Sequence, residues 1–112
     1  MEKSTQEFCE QIIQILDEKK AADIKLVDVS NKSVIADVFI IASANSSRQL
    51  YALAEHVSIF LKKLKIIPVI DGTPPTDWIV VDGGEIILHL FKPDAREYYN
   101  LEKMWTVPAS DD

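Results

Sequence analysis

Cysteine, glycine and long apolar runs are all scarce in this 112-residue chain, which has one Cys and three Gly. A single thiol, Cys9, excludes an internal disulfide and a multi-cysteine zinc site. Phosphate-cradling loops need clustered glycines followed by a lysine. The one adjacent pair, Gly83-Gly84, has neither that lysine nor a strand-to-helix setting, and reads as a hairpin turn. No apolar stretch approaches the ~20 residues that cross a bilayer, and Met1 to Glu7 lack the basic and apolar regions of a signal peptide. Basic residues are in the minority, 12 against 18 acidic, for a net charge of −6. That balance opposes a phosphate-tracking nucleic-acid binder and suits a basic protein partner. These absences predict a soluble cytoplasmic protein with no membrane partner and no direct sequence-specific contact to nucleic acid. Apolar residues at 47% are enough for one compact domain without a staple.

The pattern along the chain predicts the order α-β-β-α-β-β-β-α, a single α/β domain with a mixed five-stranded sheet. Ser4 and Glu7 have capping-box spacing, and Phe8, Ile12, Ile15 and Leu16 share one face of a helix from about Thr5 to Lys20. Ile24 to Val29 and Ala36 to Ser43 read as strands, and the polar Ser30-Asn31-Lys32-Ser33 between them implies an antiparallel hairpin. Asn45, Ser46 and Ser47 offer N-caps to a second helix that carries Leu50, Leu53, Ala54, Val57, Leu61 and Leu64 at helical period. Ile66 to Ile70 is a short strand that Pro68 confines to an edge or makes irregular. Trp78 to Val81 and Glu85 to Phe91 flank Asp82-Gly83-Gly84 as a hairpin, and Pro93 opens a last helix extending toward Trp105.

Catalytic chemistry finds little support in these residues. Cys9 lies among Phe8 and Ile12 and reads as a small buried hydrophobe. His56 falls on the solvated flank of the second helix. His89 alternates with Ile87 and Phe91 as a core or interface residue. Two such histidines make no metal cluster, and no Asp-x-Asp or Glu-x-Asp pair occurs on a strand. Ser46-Ser47-Arg48 at a helix start has the groups to hold an anion, but a plain capped N-terminus accounts for it better. The expectation is therefore no catalytic residues, no metal and no cofactor. What stands out is an aromatic and acidic concentration comprising Asp77, Trp78, Asp82, Glu85, Tyr98, Tyr99, Glu102 and Trp105. Aromatics anchor protein interfaces and rim charges select partners, although Trp78 and Trp105 fit an ordinary core as well.

Several segments, taken in order, resemble the ribosomal silencing factor, or Iojap-like, family. They are Lys20-Ala21-Ala22-Asp23-Ile24, Ile35-Ala36-Asp37-Val38-Phe39-Ile40-Ile41-Ala42, Ser46-Ser47-Arg48-Gln49, Asp77-Trp78-Ile79-Val80-Val81-Asp82, Ile87-Leu88-His89-Leu90-Phe91 and Arg96-Glu97-Tyr98-Tyr99-Asn100-Leu101-Glu102-Lys103-Met104-Trp105. Each is weak alone, and their joint order is specific. The resemblance implies a nucleotidyltransferase-like fold without catalytic carboxylates, with residues 1–105 as one domain and 106–112 as a flexible tail. It also implies a non-enzymatic repressor that binds the large ribosomal subunit through the ribosomal protein conventionally numbered fourteen. Such a factor sterically blocks joining of the small subunit and lowers translation under nutrient limitation. On that reading Trp78, Tyr99 and Leu101 are apolar anchors, with Trp78 and Tyr99 exposed. Asp77, Asp82, Glu85 and Glu102 are charge partners, and Trp105 belongs to either the core or the interface. The chain departs from the family pattern at Ala44-Asn45, at Asp82-Gly83-Gly84-Glu85, and at Asn100, where acidic residues are common. The rival readings are a nucleotidyltransferase-like nucleotide-binding protein, which needs a phosphate site near Ser46-Ser47-Arg48, and a homodimerisation module built on exposed strand edges.

Overall fold

The computed structural model describes residues 3–31, 36–73 and 75–101. Its elements are α1 (Lys3–Glu18), β1 (Ala22–Asp28), β2 (Val38–Ser43), α2 (Ser47–Lys63), β3 (Val69–Asp71), β4 (Trp78–Asp82), β5 (Ile86–Phe91) and α3 (Pro93–Tyr99). The five strands form one sheet in the order β1-β2-β5-β4-β3. Only the β2–β5 pair is parallel; β1–β2, β4–β5 and β3–β4 are antiparallel. The expected element order, the mixed five-stranded sheet and both hairpins are therefore present.

Period-2 alternation sorts the strand side chains onto two faces. Val38, Ile40 and Ala42 of β2, Ile86, Leu88 and Leu90 of β5, and Ile79 and Val81 of β4 pack with Cys9, Ile12 and Leu16 of α1 and with Leu50, Leu53, Ala54, Val57 and Leu61 of α2. The opposite face carries Val27, Val29, Phe39, Ile41, Ile87 and Phe91, with Trp78, Val80, Ala95 and Leu101 against them. Every residue of β2 and β5 is buried because both central strands have packing on both faces.

The boundaries differ from expectation where single residues turn the backbone. α1 stops at Glu18 rather than Lys20, because Lys20 takes φ 66° and the Ala21 amide closes onto the Leu16 carbonyl at 2.9 Å. α1 also begins at Lys3, so Ser4 and Glu7 lie inside its first turns instead of forming a capping box. Past the end of α2, Lys65 has φ 63°, and β3 is only Val69–Asp71 at the sheet edge, shorter than the Ile66–Ile70 strand expected. α3 ends at Tyr99, not in one run toward Trp105, because Asn100 is left-handed (φ 51°, ψ 46°) and its amide bonds back to the Arg96 carbonyl at 2.9 Å. Glu102, Trp105 and the expected tail 106–112 lie outside the described residues.

Candidate partner-binding site

The site grows from the register of the β4–β5 hairpin. Trp78 stands opposite Phe91 and Val80 opposite His89, so Trp78, Val80, His89 and Phe91 share the face away from α1 and α2. The Trp78 and Phe91 rings stack with centroids 4.9 Å apart. Tyr99 of α3 lies 4.7 Å from Trp78 and 6.2 Å from Phe91. Tyr98 meets Tyr99 edge-on at 5.1 Å. Beneath them His89 lies 5.9 Å from Trp78 and packs edge-to-face on Phe39 at 4.8 Å. The Trp78 indole N–H donates to His89 Nδ1 at 3.2 Å.

Three polar ties fix this end of the sheet. The Thr76 amide donates to Ser47 Oγ at 2.9 Å, which fastens the loop before Trp78 to the start of α2. Ser46 Oγ caps α2 by accepting from the Gln49 amide at 3.1 Å. Both serines of the candidate anion site are thus occupied by the chain's own amides, which is the capped N-terminus expected. Arg96 Nη1 donates to Ser43 Oγ at 2.8 Å and holds α3 to β2.

The proposed site residues fall into two groups. Asp77, Trp78, Tyr99 and Leu101 gather at one end; Asp77 pairs with Lys92 Nζ at 3.2 Å, and Leu101 is half-buried on the same apolar cluster. Asp82 and Glu85 lie at the far end of β4, about 13 Å away at ~3.3 Å per strand residue. There Asp82 Oδ1 accepts from the Gly84 amide at 2.9 Å and Glu85 Oε2 accepts from Thr5 Oγ1 at 3.1 Å. The expectation that Trp78 is a freely exposed anchor is corrected. It is half-buried with its N–H engaged, because the register sets it between Phe91 and His89. Tyr99 is exposed as expected, at 46%.

Sequence reasoning left two residues out of the site. Tyr98, 82% exposed, is the outermost ring of the cluster. It belonged to the aromatic concentration, but which of two adjacent tyrosines faces outward depends on how α3 docks. His89 was read as core or interface, and its period-2 alternation gave its face but not its bond to Trp78. Elsewhere Cys9 is buried, as expected, and burial pushes its thiol up to about 11. Among the described residues no group of three His, Cys, Asp or Glu side chains is placed to hold a metal ion, and no helix is long and apolar enough to cross a membrane.

The same fold occurs in a known protein structure. A solved structure from Chromobacterium violaceum superposes with a TM-score of 0.84 at 32% identity, covering 93% of this chain and 89% of that one. "Ribosomal silencing factor RsfS" of Zymomonas mobilis is 43% identical over 91 residues, 80% of this chain and 68% of its own length. "Mitochondrial assembly of ribosomal large subunit protein 1" of Mus musculus is 34% identical, over 90% of this chain and 46% of its own length. The family model described as "Ribosomal silencing factor during starvation" matches residues 2–112, and with fold, sequence and family pattern in agreement the chain belongs to the ribosomal silencing factor family.

Proposed function

We propose that this protein is a cytoplasmic, non-catalytic repressor of translation that binds the large ribosomal subunit and sterically prevents small-subunit joining when nutrients are scarce. The observation that carries the reading is membership of the silencing-factor family over residues 2–112. The contact is with the large-subunit protein conventionally numbered fourteen, and the ring cluster of Trp78, Tyr98 and Tyr99, with Leu101 beside it, supplies the apolar anchors. Aromatic side chains at such a face bring large contact area at low entropic cost. Asp77 stands beside the rings. Asp82 has the same strand parity as Trp78, so its side chain belongs to the same face at the far end of β4. A typical interface covers about 800 Å² per partner, enough for one footprint to take in both ends of β4. The family name describes regulation of ribosomes rather than catalysis, which supports a mechanism of occupancy.

Cosedimentation with purified large subunits, small subunits and joined ribosomes tests this. The expected result is binding to free large subunits and absence from joined ribosomes, with joining inhibited as the protein is titrated in. Equal binding to joined ribosomes would remove the steric mechanism.

A further inference from the structure

His89 is the buried polar residue that the cluster has no packing reason to contain. It is 7% exposed, lies on β5 between the flanking Ile87 and Phe91, and is surrounded by Phe39, Trp78 and Phe91. A leucine or phenylalanine would fill such a place without leaving a polar atom to satisfy. Its Nδ1 accepts the Trp78 indole N–H at 3.2 Å, so the ring proton resides on Nε2. Among the described residues that Nε2 is buried without a hydrogen-bond partner. An orphaned buried N–H destabilises the fold, and a native protein that keeps one calls for a reason. The bond on the other nitrogen supplies it. Trp78 sits diagonally across the hairpin from His89, and its ring is the surface against which Tyr99 rests.

We propose that His89 is a positioning residue of the partner-binding face, acting as the neutral Nε2–H tautomer whose Nδ1 fixes the plane of the Trp78 indole and, through it, the placement of Tyr99. This rests on the reading that Trp78 and Tyr99 meet the ribosomal partner. Three rotatable aromatic groups, Trp78, Tyr98 and Tyr99, gathered over the buried Phe91 and His89, lose entropy when a partner immobilises them. An indole locked by a hydrogen bond has already lost it, so the free protein presents the bound geometry in advance. Phe91 gives Trp78 a stacking surface but no angular preference, whereas a bond from the single indole donor admits one orientation.

The test uses the full chain in three variants. In His89→Asn the side-chain oxygen stands near the place of Nδ1 and keeps an acceptor. His89→Leu removes the acceptor, and Trp78→Phe removes the donor but retains a ring. Each is read by thermal melt, by large-subunit affinity below the melt, and, for the two His89 variants, by the Trp78 indole N–H resonance, assigned from its loss in Trp78→Phe. The expected outcome is about a tenfold affinity loss, ~1.4 kcal/mol, in His89→Leu and Trp78→Phe. His89→Asn should restore most of the affinity, with its indole resonance near wild type and that of His89→Leu displaced. If His89→Leu does not fold, the comparison of His89→Asn with Trp78→Phe decides: near-wild-type affinity in Trp78→Phe overturns the proposal. Equal losses in the folded Asn and Leu variants overturn it too, since His89 is then a packing element only. If Trp78→Ala and Tyr99→Ala both bind like wild type, the ring cluster is not the partner face, and the proposal falls with that reading.

Discussion

At the residue scale, burial makes His89 a titrating weak point. Burial lowers its pKa from 6.5 to about 4, because the imidazolium loses water. Between those values the unfolded chain holds the proton and the native one does not, so stability rises with pH. The contribution is complete above pH 6.5 and is lost as pH falls toward 4, about 3 kcal/mol in all. Urea melts from pH 7.5 to 4.5 should show this slope in the wild type and a shallower one in His89→Asn. Parallel slopes would deny the assignment. The two proposed ring anchors separate by burial. Trp78 is half-buried, so Trp78→Ala should destabilise by about 2 kcal/mol as well as weaken large-subunit binding. Tyr99, 46% exposed at a helix end, should cost under about 1 kcal/mol of stability as Tyr99→Ala while binding falls at least tenfold. Denaturant melts and cosedimentation on the same preparations check both.

At the element scale, the stops are set by residues in unusual backbone conformations. Asn100 occupies the left-handed position that ends α3. Asparagine tolerates that region because its short amide bonds locally, whereas a β-branched side chain meets the following carbonyl. Asn100→Val should therefore destabilise by about 1–2 kcal/mol, and Asn100→Gly should stay within about 0.5 kcal/mol of wild type. Equal melts for the two would show that α3 ends for another reason. The same principle explains β3. Lys65 turns the chain out of α2 at φ 63°, Pro68 supplies no ladder donor, and three residues remain to pair with β4. Ile67 and Val69 are left exposed beside a short, proline-flanked edge, a form that limits unwanted strand pairing.

At the scale of the whole molecule, α1 and α2 cover one face of the sheet while α3 packs against the other, leaving the ring cluster accessible at the open end of β4 and β5. The chain as a whole carries a net charge of −6. On the proposed function, long-range attraction to a basic ribosomal protein is screened by salt, while desolvated aromatic contacts are not. The association rate with large subunits should fall several-fold between 50 and 200 mM salt, roughly one Debye-length halving, with dissociation much less affected. Stopped-flow mixing measures both, and a salt-indifferent association rate would exclude electrostatic steering.

Local pattern alone determined the eight elements and their order, the amphipathic faces of α1 and α2, an N-cap for α2 among Asn45, Ser46 and Ser47, the burial of Cys9 and the Gly83-Gly84 hairpin. Those features depend on neighbours within a turn of helix or a strand pair, where spacing carries the information. The order of short segments through the chain carried the family as well. Tertiary structure alone decided which candidates meet. Trp78 and His89 are eleven residues apart and Trp78 and Tyr99 twenty-one; strand alternation gives each a face but not a neighbour. The antiparallel register of β4 on β5 brings the first pair into bonding distance, and the docking of α3 through Arg96 and Ser43 brings Tyr99 onto the ring. The extended course of β4 carries Asp82 and Glu85 away from Trp78, because each strand residue advances the chain by ~3.3 Å.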